Sequence, residues 1–389
     1  MVLCLFQEGL SMSTAVETPR QSPQPQPQSD GPSNQNVMLI TGVSGLIGSK
    51  LASKFAGQYQ LVGLDVKPPK NSSTPVAFIE TDLTKDESTT AALQKIRDQW
   101  GPNVASVIHL AAYYDFSGEP SPLYEALTVE GTRRLVQGLH RQNFQVEQFV
   151  FSSSLLVMEP DEEGRRISEM SPTQAEWAYP ESKLKAEAVI HRERGQIPVV
   201  ILRLAGVYDE KCHSLPISQQ IARIYEKQLE SYVFPGDASH GQALVHLVDL
   251  ADCVAKVVEQ RGQLDEESTF LIAEPDVMGY EELQNQLGEL IHGTQWPTIR
   301  IPKVVAKVGA WVQNKLADED EKTFIKPWMI DLADDHYAAM ITQARVKLGW
   351  EPQRRLRDTL PAIIDFLKQD PKGFYEENGL PLPKKLAEE

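Results

Sequence analysis

Positive charge is scarce in this chain. Lys and Arg number 38 against 54 Asp and Glu in 389 residues, a formal net charge of −16. Nucleic-acid binders need clustered Lys and Arg to neutralise phosphates, so the balance speaks against that class and against an anionic membrane surface. Cysteine is scarce too. Cys4, Cys212 and Cys253 stand far apart. They form neither a disulfide framework nor a metal-ligand spacing, so no metal is expected and the cytoplasm is the default compartment. No apolar run approaches the roughly 18 residues that suggest a membrane span. What remains is globular composition, 41% apolar, with a sizeable core to bury. The length predicts two to three units at about 150 residues each.

Residues 1–36 stand apart. Residues 18–36 read TPRQSPQPQPQSDGPSNQN, dominated by Pro, Gln and Ser, which predicts a disordered leader. The opening MVLCLFQEGL lacks the basic start and apolar length of a signal peptide.

The folded part begins with the strand-like run Val37–Thr41, followed by Gly42-Val43-Ser44-Gly45-Leu46-Ile47-Gly48 and then a helical spacing. Gly42 permits a tight turn, Gly45 allows a pyrophosphate to approach the backbone, and Gly48 lets the helix lie close on the strand. N–H groups exposed from Ser44 through Leu46 and Ile47, with the helix dipole, attract phosphate. A second strand ends in Asp65, 17 residues after Gly48, near the spacing at which a carboxylate meets the adenosine ribose 2′-OH. A carboxylate there repels a 2′-phosphate and favours NAD over NADP, although Lys67 nearby weakens the preference. Strand-like runs then alternate with helical spacing at 76–80, 104–110, 147–152 and 199–204. Such alternation predicts a parallel sheet with helices on both faces and ligands at the carboxyl ends of its strands.

The fifth strand ends in Ser152-Ser153-Ser154, and 25 residues later comes Tyr179-Pro180-Glu181-Ser182-Lys183. Tyr179 and Lys183 at i and i+4 share a helix face. An ammonium near a phenol favours phenolate. A Tyr so placed can exchange a proton with a carbonyl or alcohol oxygen, and a Ser hydroxyl beside it can hold that oxygen.

With TGVSGLIG, TDL at 81–83, HLAA at 109–112, FSSS at 151–154, YPESK at 179–183, RLAGVY at 203–208 and VHLVDLAD at 245–252, the chain resembles the extended short-chain dehydrogenase/reductase family, the NAD-dependent epimerase/dehydratase superfamily, over about residues 37–368. The resemblance implies an α/β fold: a Rossmann-type doubly wound parallel sheet with a smaller, discontinuous C-terminal substrate lobe. The Rossmann domain would span 37–210 with 241–273 returning to it. The lobe would span 211–240 and 274–368, leaving 369–389 as a tail. Tyr179 would be the general acid/base, Lys183 the partner of the nicotinamide ribose, and Ser154 the holder of the substrate oxygen. Asp82 and Leu83 would flank adenine, and Leu110, Ala111 and Ala112 would line the cofactor cleft. The expected activity is NAD-dependent hydride transfer at a secondary alcohol or ketone of a small molecule. A sugar or nucleotide-sugar epimerase is the alternative, and a non-catalytic dinucleotide sensor a third. The helices at 122–142 and 180–194 would pair in a homodimer.

The chain departs from the nucleotide-sugar pattern. Val157-Met158-Glu159 replaces Val-Tyr-Gly, Gly206 replaces an Asn, and Gln242 stands where an Arg clamps the diphosphate. Losing a bidentate charged contact argues against a strongly anionic substrate. Leu155-Leu156 replaces the acid/base pair of the dehydratases, which argues against dehydration. Tyr113, Asp115 and Phe116, with Leu155, Met158 and Trp177, are the expected substrate-side residues of an apolar, aromatic entrance. A helix opened by Pro302 carries Val304, Val305, Val308, Trp311, Val312 and Leu316 on one face.

Overall fold

The computed structural model describes residues 36–70, 74–115, 120–161, 165–316, 327–383 and 386, with backbone only over 310–316. Residues 1–35 of the expected leader lie outside them. So do Phe116 and the side chains of Trp311, Val312 and Leu316.

Twelve strands are described: β1 Val37–Thr41, β2 Gln60–Asp65, β3 Ala77–Glu80, β4 Asn103–His109, β5 Gln145–Val146, β6 Phe149–Ser154, β7 Val199–Leu204, β8 Gly206–Tyr208, β9 Val233–Pro235, β10 Leu244–His246, β11 Glu267–Ile272 and β12 Ile299–Ile301. The helices are α1 Leu46–Phe55, α2 Asp86–Trp100, α3 Glu130–Arg141, α4 Ala178–Glu193, α5 Leu215–Tyr225, α6 Leu247–Glu259, α7 Tyr280–His292, α8 Lys303–Leu316, α9 Pro327–Asp331, α10 Leu356–Gln369 and α11 Pro371–Glu377. A π-helical turn, Tyr124–Val129, leads into α3.

The main sheet runs β11-β7-β6-β4-β1-β2-β3, with β5 beside β4. Its pairings are parallel. Along β1 the side chains alternate between the two faces, as strand geometry requires. Val37 and Leu39 join a core with Leu93 and Ile96 of α2, Leu135 and Leu139 of α3, and Ala186 and Ile190 of α4. Met38 and Ile40 join the opposite core with Leu51 and Phe55 of α1 and Leu250, Val254 and Val258 of α6. Both faces are covered, which is why these strands read as apolar runs rather than alternations. Each fully buried Leu, Ile or Phe stabilises by roughly 1.5–3 kcal/mol relative to exposure.

β1 has β2 on one side and β4 on the other. The crossovers diverge there, and a crevice opens at the carboxyl ends of the strands. Two short parallel pairs, β8–β10 and β9–β12, stand outside the main sheet. They accompany a third apolar cluster built from Ile217 and Ile221 of α5, Leu283 and Leu287 of α7, Leu360 and Ile364 of α10, and Phe374 of α11. Among the described residues no helix is long and apolar enough to cross a membrane. Val304, Val305 and Val308 of α8 are exposed, so this part of the expected apolar stripe faces outward.

Candidate active site

The carboxyl end of β1 turns on Gly42, whose φ of +70° lies in the left-handed region that favours glycine. A Cβ at Gly42 would meet the Ala111 nitrogen at 3.0 Å, and one at Gly48 would lie 2.2 Å from the Gly42 oxygen. Gly45 is different. A Cβ there would find only the Gly42 oxygen at 3.4 Å, so its own neighbours do not exclude a side chain. Gly45 is the N-cap of α1, and neither a capping side chain nor an acid in the first turn serves that helix start. Donors are left for a ligand. Asp65 ends β2 beside this turn and accepts from the Ser44 and Val66 amides at 3.0 and 2.7 Å. The Ser44 hydroxyl donates to the Lys67 carbonyl.

A buried relay stiffens the β1–β4 junction. The Thr41 hydroxyl oxygen accepts from the Leu110 and Ala111 amides, each at 3.2 Å. Its proton therefore goes to His109 Nδ1 at 2.6 Å. His109 Nε2 then donates to Thr132 at 2.9 Å, and Thr132 donates to the Thr128 carbonyl. This direction is assigned from the network. Burial, then the charge of Lys183, pushes His109 down to about 3, so the ring stays neutral.

The three serines closing β6 divide their work. Ser152 donates to the His109 carbonyl at 3.3 Å and Ser153 to the Glu187 carboxylate. Ser154 stands beside Tyr179, whose ionised form it favours, and accepts from the Leu156 amide at 3.2 Å. Tyr179 lies in the first turn of α4, flanked by the rings of Tyr114 and Trp177 at 4.8 and 5.5 Å. Trp328 of α9 stacks beyond Trp177 at 5.3 Å. Lys183 is buried one turn along, 5.8 Å from the Tyr179 ring centre, and donates to the Ser152 carbonyl at 2.7 Å.

The expected lowering of the Tyr179 pKa is not what these surroundings produce. Burial raises it to about 12, against a smaller lowering by Ser154. Burial pulls Lys183 down to about 7, opposed by the charge of Glu187. Desolvation outweighs attraction here because the Lys183 ammonium is bonded to a carbonyl. Beneath it Glu187 and Arg203 pair at 2.8 Å, both largely buried.

These groups line one cleft of about 820 Å³. Its wall includes Gly42, Gly45, Leu46, Ile47, Gly48, Leu110 and Ala112 at one end. Ser154, Leu155, Trp177, Tyr179 and Lys183 follow, and Gln242 lies in the wall as well. Ser44, Asp65, Asp82, Leu83 and Ala111 are not part of its wall. Asp82 is held low first by the Thr84 hydroxyl, then by Lys85. Leu83 is buried.

Three of the expected entrance residues lie elsewhere. Met158 is fully buried, because the short 3₁₀ turn Leu155–Val157 redirects the chain and seats its sulfur on Arg203 at 3.0 Å. Tyr113 packs on Tyr124 at 4.8 Å, and its hydroxyl donates to Asp115 at 3.3 Å. The Asp115 carbonyl accepts from Tyr124 at 2.9 Å. Tyr113 and Asp115 thus brace the turn before α3, and the neighbouring Tyr114 lines the cleft instead. Glu176, Arg223, Glu274, Tyr280 and Trp328 also line it and were not expected from sequence.

Solved structures share this fold at low identity. MoeE5 in complex with UDP-glucose and NAD is 20% identical, covering 87% of this chain and 100% of its own, with a TM-score of 0.63. UDP-glucose 4-epimerase of Thermotoga maritima, with UDP-glucose, is 19% identical over 86% of this chain and 100% of that one, TM-score 0.64. WbmG of Bordetella bronchiseptica, in complex with NAD, is 18% identical over 88% and 97%, TM-score 0.63. No curated protein sequence matches. The model of the NAD dependent epimerase/dehydratase family matches residues 38–273, the stretch that carries the glycine turn, the serine run and the Tyr-Lys pair. On that match the chain belongs to the NAD-dependent epimerase/dehydratase family.

Proposed function

We propose that this chain is an NAD-dependent oxidoreductase acting at a secondary alcohol or ketone of a small molecule. The observation that carries the reading is the meeting of Ser154, Tyr179 and Lys183 in the wall of the cleft that begins at the glycine turn. The uncapped start of α1 would hold the pyrophosphate, and Asp65, beside the turn, favours NAD over NADP. Lys183 would hold the nicotinamide ribose. NAD, when bound, supplies the hydride acceptor or donor.

The chain's own residues handle the proton. Ser154 holds the substrate oxygen. At neutral pH the Tyr179 phenol is protonated, so it is set to donate to a carbonyl oxygen, and in the reverse direction it takes that proton back. Leu155 and Leu156 beside Ser154, with Tyr114 and Trp177 around the phenol, keep water from the reacting atoms.

Epimerisation is the second reading, favoured by the fold shared with UDP-glucose 4-epimerase. It uses the same proton and hydride steps but returns the hydride to the other face, with no net change in NAD. A panel of alcohols, ketones and sugar nucleotides tests both. A lasting absorbance change at 340 nm supports the oxidoreductase, and isomer exchange by NMR without one supports the epimerase. Tyr179→Phe should cut turnover at least a hundredfold while leaving NADH affinity within twofold. An unchanged rate sinks the mechanism.

A further inference from the structure

At the far side of the cleft from the glycine turn, α5 and α7 supply Arg223 and Tyr280 to the wall. Arg223 occupies the last turn of α5, and its charge is favoured by the neighbouring Tyr280. Tyr280 is itself stacked on Phe234, ring centres 3.8 Å apart. Both side chains are only half-buried although protein atoms crowd them, which is how groups lining a deep cavity behave.

The other cations of this wall are engaged. Arg357 pairs with Asp276 at 2.6 Å and Glu282 at 2.8 Å. His213 sits on Asp209 at 2.7 Å. Lys183 is bonded to Ser152. Arg223 has no Asp or Glu at ion-pair distance among the described residues. Glu230 attracts it only at longer range, and burial draws its pKa down. A charge taken from water without a counter-ion is unfavourable unless a ligand supplies one. The dipole at the end of α5 gives only a modest attraction.

We propose that Arg223 and Tyr280 form an anion-binding subsite that takes a carboxylate or phosphoryl group of the substrate, at the end remote from Tyr179. This rests on the cleft being the substrate chamber. It reverses the expectation drawn from Gln242: a cation is restored from α5, a different element. Two of the wall carboxylates do not oppose an anion at neutral pH, while Glu230, which attracts Arg223, lines the wall as well. Glu274 is raised by burial to about 8, and Asp276 is neutralised by Arg357. A guanidinium with a phenol beside it suits a planar or tetrahedral oxyanion.

The test uses the full chain and two probes, sodium acetate and sodium phosphate, each at 0.1 M (a chosen condition) with sodium chloride as the ionic-strength control. Thermal unfolding is followed for the wild type, Arg223→Gln and Tyr280→Phe. Acetate or phosphate should raise the wild-type midpoint by roughly 2–4 °C beyond the rise in Arg223→Gln. Tyr280→Phe, which keeps the charge, should fall between them. Reading the difference between proteins removes the general salting effect of phosphate. In chloride alone Arg223→Gln should match or exceed the wild type, since an unpaired charge has gone. The acetate arm marks a carboxylate subsite and the phosphate arm a phosphoryl one. Equal anion responses in wild type and Arg223→Gln, or none in the wild type, overturn the proposal. NADH titration of both proteins is read separately. If NADH binds neither, the oxidoreductase reading fails whatever the anions do.

Discussion

Glu274 follows β11 and is almost wholly buried. One carboxyl oxygen accepts from the Leu356 amide at 2.9 Å. The other has no hydrogen-bond partner, and the Tyr208 hydroxyl is likewise unsatisfied. Burial lifts the acid from 4.5 to about 8. The native protein therefore binds a proton between those values that the unfolded chain has lost. The associated stability is full below about pH 4.5 and disappears as pH rises towards 8. At about 1.4 kcal/mol per pH unit the loss is on the order of 5 kcal/mol at most. Glu274→Gln keeps the acceptor for Leu356 and cannot ionise. Its amide can also donate to the Tyr208 oxygen. Urea midpoints measured for both proteins from pH 5 to 9 should diverge, with the wild type falling away from the variant as pH rises. Parallel curves would refute the reasoning, and so would a variant whose advantage is greatest at pH 5.

Two further substitutions probe the cofactor side. Gly48→Ala puts a methyl 2.2 Å from the Gly42 oxygen and 2.7 Å from the Val43 Cα, atoms of backbone that cannot swing aside. It should lower stability by roughly 1–3 kcal/mol and weaken NADH binding at least tenfold, read by thermal unfolding and NADH fluorescence; unchanged affinity removes the turn from the cofactor site. Glu187→Gln takes away the charge that holds Lys183 up, so the lysine should titrate below its present value of about 7. The pH dependence of amine labelling at Lys183, followed by peptide mass spectrometry, reports the midpoint, and an unmoved midpoint contradicts the assignment.

The strands and their glycine turn are legible in sequence because long apolar runs between helical spacings have one stable arrangement. Val37–Thr41 and Val199–Leu204 are strands at the residues expected. The run expected at 147–152 is a strand two residues later, Phe149–Ser154, because Ser152, Ser153 and Ser154 pair along β7. The pairs β8–β10 and β9–β12 carry three residues a strand, too few for any period to show. The site divides in the same way. Tyr179 and Lys183 are fixed to one face by helix geometry, so spacing alone relates them. Tyr113 and Tyr114 sit on irregular backbone, where nothing in the sequence says which ring turns inward. Met158 looks like an entrance residue until the turn before it is known. Arg223 and Tyr280 lie on separate helices, and only the tertiary fold brings them together.

The placement of β11 has a consequence for how the molecule is made. β7 is flanked on one side by β6, but its other neighbour, Glu267–Ile272, comes from much later in the chain. As synthesis proceeds from the N-terminus, Val199–Leu204 emerges with one edge open, and it stays open while residues 205–266 follow. An unpaired apolar edge is a template for a strand of another chain. Phe270, Leu271 and Ile272, all buried once docked, close it. Production of this protein therefore passes through an interval in which a half-made sheet must be kept from its neighbours.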